Sequence, residues 1–216
     1  GQANDYTALS VLERQQPTGG TEVSYHVRHL ERVRNAPYPR IVEKVTDMLQ
    51  APPLAGESVL VVDQTGVGAP VVDLFRQARL PLMAVHIHGG DAVSSDGDTF
   101  RVPKRDLVGV LQVLFQSGRL KISKKLTLAA VLQAELLNFK VKIDSRTAHD
   151  SYSAWREEDH DDLVLSVGLA AWRGEQEPPE LPLLVFGGGD KKPAWRESPA
   201  RFDVGWSLIS PGLGYR

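Results

Sequence analysis

A chain of 216 residues is long enough for one sizeable domain with a buried core, and 42% hydrophobic and 24% charged residues are ordinary for a globular protein. The formal charge of −2 excludes a chain that is basic throughout, while leaving a local basic surface open. Without cysteine there are no disulfides or thiolate metal centres, and no run approaches the ~18 apolar residues of a membrane span, so a soluble, cytoplasmic protein is expected.

The chain opens GQANDYTALSVLER, runs at once into a strand-like pattern without a starting Met, and reads as part of something longer. YTALSVLER (6–14) and TEVSYHVRHLERV (21–33) are β-rich and roughly alternating, and the turn chemistry of QQPTGG between them predicts an antiparallel pair. YPRIVEKVTDMLQ sets Ile41, Val42, Val45, Met48 and Leu49 on one helical face, and Pro52-Pro53 stops it. SVLVVD is short, continuously apolar and β-branched, the pattern of a central strand buried on both faces. APVVDLFRQARL follows as a helix opened by Pro70, and LMAVHIH as a further strand. GGDAVSSDGDTFRVP is polar and predicts a loop or small hairpin.

KRDLVGVLQVLFQSG is an amphipathic helix ended by Gly118. LTLAAVLQAELLNF predicts another, KVKI a short strand, and AHDSYSAWREED a loop. HDDLVLSVGLAAWR predicts a helix with a broad apolar face and two aspartates in its first turn. Residues 174–216, with EQEPPELP, FGGGDKKP and SPGLGYR, form a Pro- and Gly-rich tail expected to be irregular. The order predicts an α/β fold over 1–173: a mixed sheet, antiparallel on its N-terminal side and parallel at its centre, flanked by helices.

The loop DQTGVGAPVVD lacks the Lys-Ser/Thr of a P-loop, and Val71 stands where a dinucleotide fingerprint needs its third glycine. Asp63, at the end of a buried strand, has two readings: it satisfies turn amides, or it is aimed into a cleft as a ligand. Asp161 and Asp162 also have two, since acids in a first turn cap a helix and complement its dipole. One cap needs one carboxylate, however, and EEDHDD puts five acids around His160. If the helix start meets the strand end, three carboxylates converge, and two at ~4 Å repel by about 4 kcal/mol at an effective dielectric near 20. Protons or a divalent cation must then neutralise them, and oxygen-only ligands point to Mg²⁺ or Mn²⁺. His160 either positions a phosphate or shuttles a proton, or is a polar residue before a helix.

His86 and His88 share one strand face, as a zinc pair would, but no third ligand has suitable spacing and an edge strand is the preferred reading. Asp91, Asp96 and Asp98 lack the calcium-loop pattern and its closing Glu. Lys104, Arg105, Lys121, Lys124 and Lys125 are candidates for phosphate contact, against the default of a solvated surface. Trp155 and Trp172 are expected to pack rather than stack on bases.

In order along the chain, DYTALSVLER, VLVVDQTGVGAPVVDLF, LNFKVKI and HDDLVLSVGLAAW resemble the nuclease domain of phage large terminase subunits, a member of the ribonuclease H-like superfamily. The resemblance runs from Gly1 to about Trp172, with VVDQTGVG and HDDLVL as its most specific blocks. It implies a two-metal endonuclease, with two Mg²⁺ or Mn²⁺ ions, that cuts packaged double-stranded DNA in the host cytoplasm. It further implies that Asp63 bridges the metals, that Asp161 and Asp162 complete the site, and that Gln64, Gly66, His160 and Asp5 stand close behind. The family's first acid lies in an Asp-x-Gly motif ending the first strand. Gly1 matches that motif's Gly, so the Asp is expected two residues upstream and the sheet is expected to lack that strand. A terminase ATPase domain, a portal and a small terminase subunit are the implied partners. A junction resolvase, or a catalytically inactive DNA-binding or assembly module, are the alternatives.

Overall fold

The computed structural model describes residues 6–17, 20, 22–65, 69–141, 161–177 and 201–208. The first two runs form β1 (Tyr6–Gln15) and β2 (Ser24–Arg34), paired antiparallel as predicted. Their register slips between Val11 and Leu12, so Arg28 bulges out of the ladder and each strand changes twist there. Helix α1 (Tyr38–Gln50) buries Ile41, Val42 and Val45, the face that periodicity selects. The apolar run becomes β3 (Ser58–Asp63), followed by α2 (Ala69–Gln77) and β4 (Leu82–His88). The polar excursion folds as a hairpin of β5 (Ser94–Asp96) and β6 (Thr99–Pro103). Helix α3 (Lys104–Gln116) then ends at Gly118, whose φ of 66° is the left-handed geometry glycine adopts cheaply. The last elements are β7 (Leu120–Ile122), α4 (Ala129–Val141), α5 (Asp162–Glu175) and β8 (Arg201–Leu208).

Among the described residues, eight strands form one sheet in the order β5-β6-β4-β3-β8-β1-β2-β7. The antiparallel pair lies towards one end, and β8, β3, β4 and β6 run parallel through the centre. This is the α/β mixed sheet flanked by helices that the sequence predicts, an arrangement compatible with a ribonuclease H-like fold. Alternation along the strands divides the core. Leu9, Val11, Leu60, Val62 and Ala84 pack on one face with Val45, Val71, Val72 and Phe75 from α1 and α2. Ala8, Leu12, Val61, Val85 and Val102 pack on the other, under Leu107, Leu111, Leu114, Leu132, Leu163 and Val167 from α3, α4 and α5. With both faces covered, the unbroken apolar pattern of β3 is what the fold requires.

Helix α5 is the innermost. Every residue from Asp162 to Trp172 is buried, because sheet and helices enclose it on all sides. Gly168 is part of this fit, since a Cβ there would lie 3.3 Å from Leu111 Cδ1. Ser166 meets Ser10 of β1 through a buried hydroxyl pair at 2.9 Å, which satisfies both polar groups. Among the described residues no helix is long and apolar enough to cross a membrane.

Several expectations need correction. KVKI is not a strand at its start: α4 continues through Lys140 and Val141, because the preceding helical run carries on. His86 and His88 do not lie on an edge strand, since β4 sits between β3 and β6 and the β5–β6 hairpin forms the edge. Residues 174–216 are not uniformly irregular: Gly174 and Glu175 close α5, and 201–208 is a strand. RFDVGWSL alternates Phe202, Val204, Trp206 and Leu208 with smaller or polar residues, a period-two signal that the surrounding Pro and Gly concealed. Strand β8 also fills the central place expected to be empty, pairing antiparallel with β1 and parallel with β3.

Among the described strands, β1 and β3 are joined only through β8. A chain truncated after Glu177 therefore exposes backbone donors and acceptors on both half-sheets. It should lose its cooperative thermal transition by circular dichroism. A truncated chain that melts like the full one would show that β8 adds nothing to the fold.

Candidate active site

Strand β3 ends in Asp63, which is 3% exposed. Alternation puts it on the side of Val61, the face that α3, α4 and α5 cover. Asp63 Oδ1 accepts the backbone N–H of Thr65 at 2.8 Å, so part of the turn reading holds. The following residues are fastened to β4: the Gln64 N–H donates to the Val85 carbonyl at 2.8 Å, and the Ile87 N–H donates to Thr65 Oγ1 at 2.8 Å. Gly66 lies outside the described residues, as do Asp5, His160, Gly1 and Trp155.

The parallel direction of β8, β3, β4 and β6 brings their C-terminal ends to one edge of the sheet, and β2 ends at that edge too. Ala8 of β1 pairs with both Ser207 and Arg32, and Val62 pairs with Trp206, so Asp63 and Arg32 occupy one row. The row spans three strand spacings, roughly 14 Å.

Helix α5 begins at the same edge. Asp161 is its N-cap residue, yet its side chain makes no capping hydrogen bond. Instead its Oδ2 lies 3.3 Å from the Lys104 ammonium, one residue beyond β6. Asp162 Oδ2 lies 3.4 Å from the Arg32 guanidinium, near the end of β2. The two acids at the helix start are thus drawn to strands on opposite sides of β3. Lys104 is itself buried, at 9% exposure, rather than part of a solvated face.

Sequence reasoning missed Glu135. It sits in α4 within AELLNF, where a single acid on a helix carries no signal of its own. It is 7% exposed; its Oε2 accepts the Val164 N–H at 3.0 Å, and its Oε1 contacts Arg32. A side chain from α4 therefore supplies the capping contact that Asp161 does not. Burial pushes the Glu135 carboxyl up to about 7, against the Val164 N–H and Arg32, with Asp162 and Asp161 raising it further.

The other candidates divide. Arg105 stays at this edge but is paired with Asp91 and Asp106. Lys121 is on β7, with Lys124 and Lys125 just beyond it. Strand β7 is four strands from β3, roughly 19 Å away. Asp98 is held by Arg76. Burial lowers the pKa of His86, as do Arg101 and His88. Trp172 packs edge-on against Phe100 at 5.9 Å, as expected of a core residue. Strand β8 contains Asp203-Val204-Gly205, an Asp-x-Gly spacing, but its register sets Asp203 beside Val59, four residues short of Asp63 and roughly 13 Å from that end.

Asp63 and the start of α5 thus share an edge and a face, while each acid keeps its own contacts. Among the described residues no three His, Asp or Glu side chains gather closely enough to hold a metal ion. No family model, curated protein or solved structure matches the chain.

Glu135 gives a pH signature. Its folded pKa lies above the ordinary 4.5, so the folded state binds the extra proton between about pH 4.5 and about 7. The stability from that proton is full below the lower value and is lost as pH rises through the upper, a change on the order of 3 kcal/mol. Urea denaturation at pH 5 and pH 8 should show wild type losing that much more than Glu135→Gln. Equal losses in both would assign the dependence to another group.

Proposed function

We propose that the chain is a metal-dependent endonuclease of the ribonuclease H-like kind, the nuclease part of a phage large terminase acting on double-stranded DNA in the host cytoplasm. The observation that supports it is the buried strand-end Asp63, turned to the face and edge where α5 starts with Asp161-Asp162. The donor chemistry suits a hard divalent cation, because the acids are carboxylates, and Asp162 and Asp161 add to the burial that raises the Glu135 carboxyl. Asp63, Asp161 and Asp162 would hold Mg²⁺ or Mn²⁺ only when drawn together, since among the described residues they do not gather closely enough by themselves. Bound there, the metal would make water a nucleophile and offset charge on the leaving 3′-oxygen.

The chain's own residues have separate tasks. Thr65, bonded to Asp63 and to β4, fixes the orientation of that carboxylate. Arg105 stands half-exposed at the same edge and supplies a cationic group for the DNA backbone, while the buried Lys104 offsets Asp161. Contacts with an ATPase domain, a portal and a small terminase subunit belong to the same proposal.

A second reading, an inactive DNA-binding or assembly module, is favoured by the pairing of Asp161 with Lys104 and of Asp162 with Arg32. Supercoiled-plasmid nicking separates the two. The endonuclease needs Mg²⁺ or Mn²⁺, and Asp63→Asn should lower its rate by about 100-fold or more. Cleavage that survives both EDTA and that substitution rejects the mechanism. Duplex binding without cleavage supports the inactive module, and preference for branched over linear DNA supports a resolvase.

A further inference from the structure

Arg32 and Glu135 come from elements distant in sequence, β2 and α4, and converge on the first turn of α5. Glu135 grips the backbone of that turn through the Val164 N–H and also contacts Arg32, whose guanidinium lies 3.4 Å from Asp162 Oδ2. Capping the turn needs one carboxylate. A guanidinium spanning that carboxylate and Asp162 does something more: it couples the direction of the Asp162 side chain to the fixed backbone of its own helix. Both contacts come from one guanidinium nitrogen, Nη2, held in place by the rigid guanidinium plane, whereas a lysine ammonium is a compact charge with freely rotating donors on a flexible stem. On its other side Asp161 is drawn to Lys104, so the two neighbouring acids are kept apart.

We propose that Arg32 and Glu135 are positioning residues, a clamp that fixes the first turn of α5 and orients Asp162 at the edge where β3 ends. Their role in turnover rests on the endonuclease reading; the clamp itself rests on its geometry.

Two measurements test it, with melting temperature confirming that each variant folds. Hydrogen exchange reads the clamp directly. Arg32→Lys should speed exchange of the Val164 amide by about tenfold while amides in the second half of α5 keep their protection, since only the first turn is released. Glu135→Gln, which keeps a carbonyl acceptor for that amide, should change it less. Unchanged exchange in Arg32→Lys overturns the clamp. Nicking kinetics read its consequence. Arg32→Lys should reduce kcat by about tenfold or more with KM nearly constant, and should cost nothing further in an Asp162→Asn background. Additive losses would mean that Arg32 does not act through Asp162, and would overturn the positioning role. A wild type that binds duplex DNA but never nicks rejects the endonuclease reading, and the exchange result then decides the clamp alone.

Discussion

Helix α5 has no wet face. Its residues from Asp162 to Trp172 are all buried, and the apolar side chains among them contribute roughly 1.5–3 kcal/mol each on leaving water. An orphaned N–H at its start would cost only about 1–3 kcal/mol, so the chain gains by burying the whole helix. Protein groups must then serve its ends where water otherwise would. At the C-terminal end, Glu175 accepts the Tyr25 hydroxyl at 2.8 Å and both Arg119 amino groups, at 2.5 and 3.0 Å. At the start, Glu135, Arg32 and Lys104 converge on the first turn. Charge gathers at both ends of α5 for this structural reason, before any functional one. What sets the start apart is its excess of acid, together with Asp63 ending at the same edge.

The sheet beneath α5 depends on the strand that comes last among the described elements. Strand β8 pairs on both sides, and α5 packs across β8, β1 and β3. Strand and helix support each other: β8 completes the surface that α5 buries against, and α5 covers the seam where β8 joins the two half-sheets. The long separation in sequence means that this pairing must close a large loop, whose entropic cost grows only slowly with length. The contacts on both sides of β8 offset it.

Local signals carried most of the architecture. Continuous apolar β-branching marked β3, helical periodicity marked α1, and turn chemistry marked the β1–β2 hairpin. Each reports a preference that holds within a few residues. Tertiary pairings were not legible in the same way. Glu135 acts only because α4 brings it beside the start of α5, and Arg32 only because β2 ends at the edge where α5 begins. Neither has a spacing that points to the other. Lys104 read as surface charge because nothing local reveals that a lysine following a strand will be buried against Asp161. Strand β8 was written in plain period-two alternation, but the Pro- and Gly-rich text around it argued for a tail. Three-residue β7 is too short for any periodicity to register.

Charge balance links this structural account to the functional proposal. Among the described residues, Asp161 pairs with Lys104, Asp162 and Glu135 pair with Arg32, and Asp63 ends at the same edge of the sheet. With all six ionised, four carboxylates against two cations leave two negative charges, the charge of one divalent ion rather than two. With Glu135 protonated, as its raised pKa allows below about 7, only one remains. Under the endonuclease reading these groups alone compensate a single ion, and a second would depend on negative charge from elsewhere. Under that reading the phosphodiester backbone of bound DNA would carry that charge. Occupancy of a second metal position would then be tied to DNA binding, because each added cation costs least where a phosphate already lies beside it.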